Sequence, residues 1–190
     1  DVDRSRGLGD VYKRQGTETA AEIDANTGLT DLLERIRSQA AHRMGMVDDP
    51  ANATRETPAT PILGMIAPAE DYWNVLGNRW VRAEECDFVT RLMFMQQMHK
   101  TYAGTSTVCT GVASKLPGTI VYEMARQECQ ERLATFFGHP GGVIETEAKV
   151  ELDGNTWRAA RATVARTARR IMEGYVFVPS WAEHLEIAAE

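Results

Sequence analysis

The chain has 190 residues, 43% hydrophobic and 25% charged, with 21 Lys and Arg against 27 Asp and Glu for a net charge of −6. That balance describes an ordinary soluble globular protein with one sizeable core or two small ones. It argues against a nucleic-acid partner, and no apolar run approaches the roughly 18–20 residues that a membrane span requires.

Cys86, Cys109 and Cys129 are odd in number and widely spaced, which fits reduced thiols in a cytoplasmic protein better than a disulfide framework. The four histidines, His42, His99, His139 and His184, are equally scattered, and no Cys or His pair has zinc spacing, so no metal site is expected.

Residues 1–15, DVDRSRGLGDVYKRQ, carry four Arg or Lys side chains and no apolar periodicity, and they lack the apolar stretch of a secretory signal. They read as a non-native leader, with native sequence expected from about Gly16. A helix is predicted from Asp31 to Met44, capped by Thr30 and ended by Gly45, with Leu33, Ile36, Arg37, Ala40 and Met44 facing inward. A polar linker with Pro50, Pro58 and Pro61 follows, then a short buried strand over Ile62–Ala67. Asp71-Tyr72 reads as a strand-end turn. Trp80–Glu84 reads as a strand, and Phe88–Met95 as either strand or helix. The series Met93, Met95 and Met98 reads as core.

The most informative stretch is Met98-His99-Lys100-Thr101-Tyr102-Ala103-Gly104-Thr105-Ser106-Thr107, which runs into a helix predicted over 107–115. A cluster of small residues at a helix start leaves backbone N–H groups without intrahelical partners, and the helix dipole makes them an anion site. His99 and Lys100 just before it supply a titratable group and a cation. A simple cap by Thr105 or Ser106 is the structural alternative.

Leu116-Pro117-Gly118 breaks the chain, and a second helix is predicted from Ile120 to Leu133. The turn Gly138-His139-Pro140-Gly141-Gly142 leads into VIETEAKVEL. There Ile144, Thr146, Ala148, Val150 and Leu152 alternate with polar residues up to a hairpin signal at Asp153-Gly154. The return segment, Thr156–Arg166, is assigned to strand on the hairpin argument, although its Ala and Arg also favour helix. One more strand is expected around Val176 and Val178. The mixture is α+β.

Five pieces in order, GTETAAEIDANTGLTDLLERIRSQAAHRMGMVDD, APAEDY, MHKTYAGTSTVCTGVASKLPGT, GHPGG and RTARRIMEGYVFVP, resemble the PrpF family of 2-methylaconitate cis–trans isomerases and their relatives on the diaminopimelate-epimerase fold. The resemblance implies a mixed sheet wrapped around a central helix, as the C-terminal half of a two-domain protein whose cleft holds the active site. Residues 16–190 are then the C-terminal domain, and the N-terminal domain is missing.

It also implies a cofactor-independent isomerase that shifts or reorients a double bond in an unsaturated di- or tricarboxylate. The alternatives are a 4-oxalomesaconate-type tautomerase or a non-catalytic module. The expected partners are a small polycarboxylate, the missing domain and, in a possible homodimer, a second copy.

The chemistry needs proton transfer and stabilisation of enolate character. His99 is the candidate proton carrier, and Gly104, Thr105, Ser106, Thr107 and Lys100 are the candidate carboxylate holders. His139 and Gly141 join them because the family places its equivalent turn near the cleft. Ala103 stands where related epimerases carry a catalytic cysteine, which favours an isomerase over a two-thiol epimerase. Cys109 reads as a small buried cysteine; Arg166, Arg169 and Arg170 are able to reach anions, but the run reads first as a solvated face. The fragment alone is expected to be inactive, with Gly174–Pro179 packing on the missing domain.

Overall fold

A computed structural model describes residues 16–166 and 168–179, so the expected leader lies outside the described residues. The helices are α1 (Ala20–Asp24), α2 (Thr27–Arg43), α3 (Ala53–Glu56), α4 (Gly104–Ala113), α5 (Ile120–Met124) and α6 (Gln127–Glu131). The strands are β1 (Leu63–Pro68), β2 (Tyr72–Asn74), β3 (Arg79–Val81), β4 (Phe88–Phe94), β5 (Gln97–Met98), β6 (Ala134–His139), β7 (Gly142–Asp153) and β8 (Thr156–Val164).

Strand β4 is buried along six of its seven residues and lies between β1 and β6. This settles the strand-or-helix ambiguity: a run apolar on both faces belongs inside a sheet, not at its surface. The sheet runs β1-β4-β6-β7-β8, with β5 also on β4. Its neighbours are antiparallel except β4 and β6. β2 and β3 form a separate hairpin. The expected α+β class holds, and the Asp153-Gly154 turn joins β7 to β8 with Gly154 at φ 61°.

Helix α4 lies against β7 and β8. Gly111 permits the approach, because a Cβ there would stand 2.7 Å from Thr146 Cγ2. Beneath it Phe137 stacks on Phe88 at 5.4 Å and meets Tyr102 edge-on at 5.0 Å. The Tyr102 hydroxyl bonds Thr110 of α4 at 2.9 Å and Thr90 of β4 at 3.4 Å, tying helix to sheet.

Several expectations shift. The first long helix starts at Thr27, capped by the Asn26 side chain, so Thr30 lies inside it. Its buried face carries Leu33, Arg37, Ser38 and Ala41, whereas Ile36 and Met44 are exposed. Arg37 fixes that orientation: it pairs with Glu34 and donates to the carbonyls of Thr57 and Thr60 at 2.8 and 3.0 Å, pinning the linker. The core reading holds for Met93 and Met98, but Met95 is exposed at φ 52° in the turn after β4.

The helix predicted over Ile120–Leu133 is two short helices. Ala125 and Arg126 between them are extended, because Arg126 reaches back to the carbonyls of Asp87 and Ala83. The unpredicted β6 is held by Asp87, whose carboxylate accepts from Arg132 at 2.6 and 2.7 Å and from the Phe136 amide at 2.8 Å. The strand expected around Val176 and Val178 is not formed. Residues 168–179 have no regular structure and pair with none of the described strands, and a lone extended segment has no ladder to stabilise it.

Lys115 is the buried fastener of the α6–β6 corner. Its ammonium donates to the carbonyls of Cys129, Arg132 and Ala134. Lys115→Met leaves these carbonyls in a dry site without their donor, and it should lower stability by about 1–3 kcal/mol in chemical denaturation.

Candidate active site

The start of α4 is open. Its N-cap is Ala103, which has no side chain to offer, and the first intrahelical bond runs from the Thr107 amide to the Ala103 carbonyl at 2.9 Å. The amides of Gly104, Thr105 and Ser106 therefore have no intrahelical acceptor. Thr105 and Ser106 sit one and two residues inside the helix, where neither can act as its cap. Thr107 does not share in the cradle: its amide is used, its hydroxyl donates to the Ala103 carbonyl at 3.0 Å, and it is buried.

Arg166 arrives from the far end of β8. Its guanidinium lies over Gly104, filling the space a Cβ there would take. A cation at a helix N-terminus opposes the dipole, but an anion held between them meets both. Arg166 is exposed, as the solvated-face reading expects, yet its guanidinium reaches this helix start; Arg169 and Arg170 are exposed as well, with Arg170 paired to Glu173.

His99 and His139 each hold a loop. His99 Nδ1 accepts from the Thr101 amide at 3.1 Å, and His139 Nδ1 accepts from the Gly141 amide at 3.2 Å. With Nδ1 occupied as an acceptor, each neutral ring carries its proton on Nε2. Gly141 is where the two loops meet: a Cβ there would stand 3.0 Å from His139 Cε1 and 3.3 Å from both Leu76 Cδ1 and Thr101 Cγ2. Gly138 leaves similar room for Tyr72, whose Cε1 would lie 2.7 Å from a Cβ. The Tyr72 hydroxyl then donates to the Gly142 carbonyl, so Tyr72, at the start of β2, is also a buried prop of the turn.

Burial, reinforced by the nearby Arg91 charge, pushes the His139 pKa down from 6.5 to about 4. The unfolded chain therefore binds this proton more readily than the folded one between those values. Stability from this group is complete above pH 6.5, falls as the pH drops toward 4, and changes no further below that. The loss should amount to about 3 kcal/mol. His139→Gln should flatten that part of the pH–stability curve.

Cys109 is exposed, contrary to expectation. It lies about one turn beyond Thr105 and Ser106. There it lines a cavity of about 440 Å³ with those two residues, Leu92 and Tyr102. Lys100 is exposed and borders a second cavity, which also reaches Arg91. Arg91 is the polar residue that sequence reasoning missed at the site, and Arg166, considered there for anions, is the member of its run that reaches α4. For Arg91 the available signal was a lone cation inside an otherwise apolar strand.

The chain's residues 9–179 match the family model described as PrpF protein. The chain belongs to the PrpF family. Within this family it is 43% identical over 163 residues to 3-methylitaconate isomerase of Eubacterium barkeri, a match covering 86% of this chain and 42% of that protein. It is 33% identical over 166 residues to 2-methyl-aconitate isomerase of Shewanella oneidensis, covering 86% of this chain and 40% of that one. A crystal structure of methylitaconate-delta-isomerase superimposes with a TM-score of 0.75 at 39% identity, covering 92% of this chain and 44% of that chain. The PrpF-like architecture expected from the sequence is thus the observed one, and the chain spans about two fifths of the length of these curated relatives.

Proposed function

We propose that this chain supplies the carboxylate-holding half of a PrpF-family isomerase that moves or reorients a double bond in an unsaturated di- or tricarboxylate. The observation that carries this reading is the convergence of three unused amides, those of Gly104, Thr105 and Ser106, with the Arg166 guanidinium at one helix start. In such a reaction a base takes a proton from carbon. The electron pair spreads through the allylic system into the neighbouring carboxylate, and the proton returns at the other end. Donors fixed where that negative charge develops lower the barrier. His99 is the candidate proton carrier on this side: with Nδ1 engaged by Thr101, its Nε2–H faces the substrate as a donor, and the base that takes the proton from carbon is a separate group. The names of the relatives, methylitaconate and methyl-aconitate isomerases, support branched unsaturated di- and tricarboxylates as the substrate class.

The test joins this chain to the additional length its relatives carry and assays it on 3-methylitaconate, 2-methylaconitate and 4-oxalomesaconate. Turnover of either of the first two supports the reading. Turnover of the third alone moves the protein to the tautomerase alternative, and binding without turnover of any leaves a non-catalytic module. Residues 1–190 alone should bind without turnover.

A further inference from the structure

A second cavity, of about 330 Å³, borders the candidate site and is lined by Thr19, Trp73, Leu76, Arg91, Lys100 and Pro140 among others. Most of its wall is apolar, yet it contains two cations. Arg91 is only 1% exposed. Its Nε donates to the Glu18 carbonyl at 2.6 Å and its Nη1 to the Thr90 carbonyl at 2.9 Å, and its guanidinium lies 5.0 Å from the centre of the Tyr72 ring.

Both acceptors are neutral carbonyls, and among the described residues Nη2 has no acceptor. Burial lowers the Arg91 pKa only to about 10, so the group stays charged at neutral pH, while Glu18 and Glu22 reach it only through their longer-range field. A buried guanidinium without a carboxylate is costly, and its planar fork matches a carboxylate edge-on.

The surroundings of this cavity tie it to the candidate site. Tyr72, beneath Arg91, donates to Gly142 in the His139–Gly142 turn. Pro140 of that turn lines the cavity, Lys100 follows His99 directly, and Leu76 meets Thr101 across Gly141.

We propose that the Arg91–Lys100 cavity receives a second carboxylate of the substrate, gripped by the Arg91 guanidinium with Lys100 at its mouth, while the start of α4 holds the first. The inference rests on the proposed function, and it makes Arg91 a specificity-determining residue that selects di- over monocarboxylates.

Itaconate and methacrylate, which differ by one carboxylate arm, serve as probes on the isotope-labelled chain. Itaconate should shift the amides of Gly104–Ser106 together with those of Thr19–Ala21, and methacrylate only the first set. Itaconate should bind about 10- to 100-fold more tightly than methacrylate. Arg91→Met and Lys100→Met should each remove most of that advantage while leaving methacrylate binding unchanged. If Arg91→Met does not fold, the exposed Lys100→Met carries the comparison.

Itaconate shifts confined to Gly104–Ser106, or unchanged itaconate affinity in the folded variants, overturn the second subsite and leave the α4 cradle standing. Shifts in neither set overturn both.

Discussion

Ser106→Asp is expected to abolish carboxylate binding while leaving the fold as stable as before or slightly more so. Position 106 lies in the first turn of α4, where its amide has no intrahelical acceptor. A carboxylate fixed there interacts favourably with the helix dipole, worth about 0.3–1 kcal/mol. The same charge fills the place intended for the substrate and repels it. In the protein carrying the additional length of its relatives, turnover should fall by about a hundredfold or more, the order seen when one oxyanion donor is lost. Measuring melting temperature and turnover on the same preparation separates the two effects. Unchanged turnover removes the cradle from the mechanism, and a collapse in stability means the helix start is needed for folding rather than for binding.

Phe137→Ala has the largest expected effect on stability. Phe137 is fully buried on β6, stacked on Phe88 and edge-on to Tyr102, the residue that links α4 to the sheet. Truncation removes the ring's burial and leaves a cavity under the helix, at a cost of about 3–5 kcal/mol. For a domain with the usual margin of about 5–15 kcal/mol this is a large fraction. Urea denaturation should show the midpoint moving down without a change in slope. A loss below about 1 kcal/mol would mean that the cluster relaxes to fill the space.

Much of the fold was legible because local signals agreed with global ones. The alternation from Ile144 to Leu152 and the Asp153-Gly154 turn fixed a hairpin, and only one more piece of sheet geometry was needed to place it. β6 was missed because its contacts are long-range: Asp87 and Lys115 hold it from 49 and 19 residues away in sequence, and no periodicity within Ala134–His139 reports that. The break between α5 and α6 was hidden for the same reason, since Ala83 and Asp87, which pull Arg126 out of helical geometry, lie far along the chain.

At the candidate site, the small residues from Gly104 to Ser106 marked the helix start whose amides lack intrahelical acceptors. Sequence alone extended it one residue too far, to Thr107, because the cap position depends on where the first intrahelical bond closes. The placement of the two arginines was out of reach for a different reason. Arg166 meets Gly104 only once β8 has folded back along β7, and Arg91 becomes a candidate only once Trp73, Lys100 and Pro140 gather around one cavity.

The central claim is that the first three amides of α4 hold a carboxylate, and titrating the labelled chain with itaconate while following the amides of Gly104, Thr105, Ser106 and Thr107 tests it most directly. The amides of Gly104, Thr105 and Ser106 should move together along one saturable curve, with Thr107, already bonded to Ala103, moving least. No saturable shift at those three amides, or a shift led by Thr107, would contradict it.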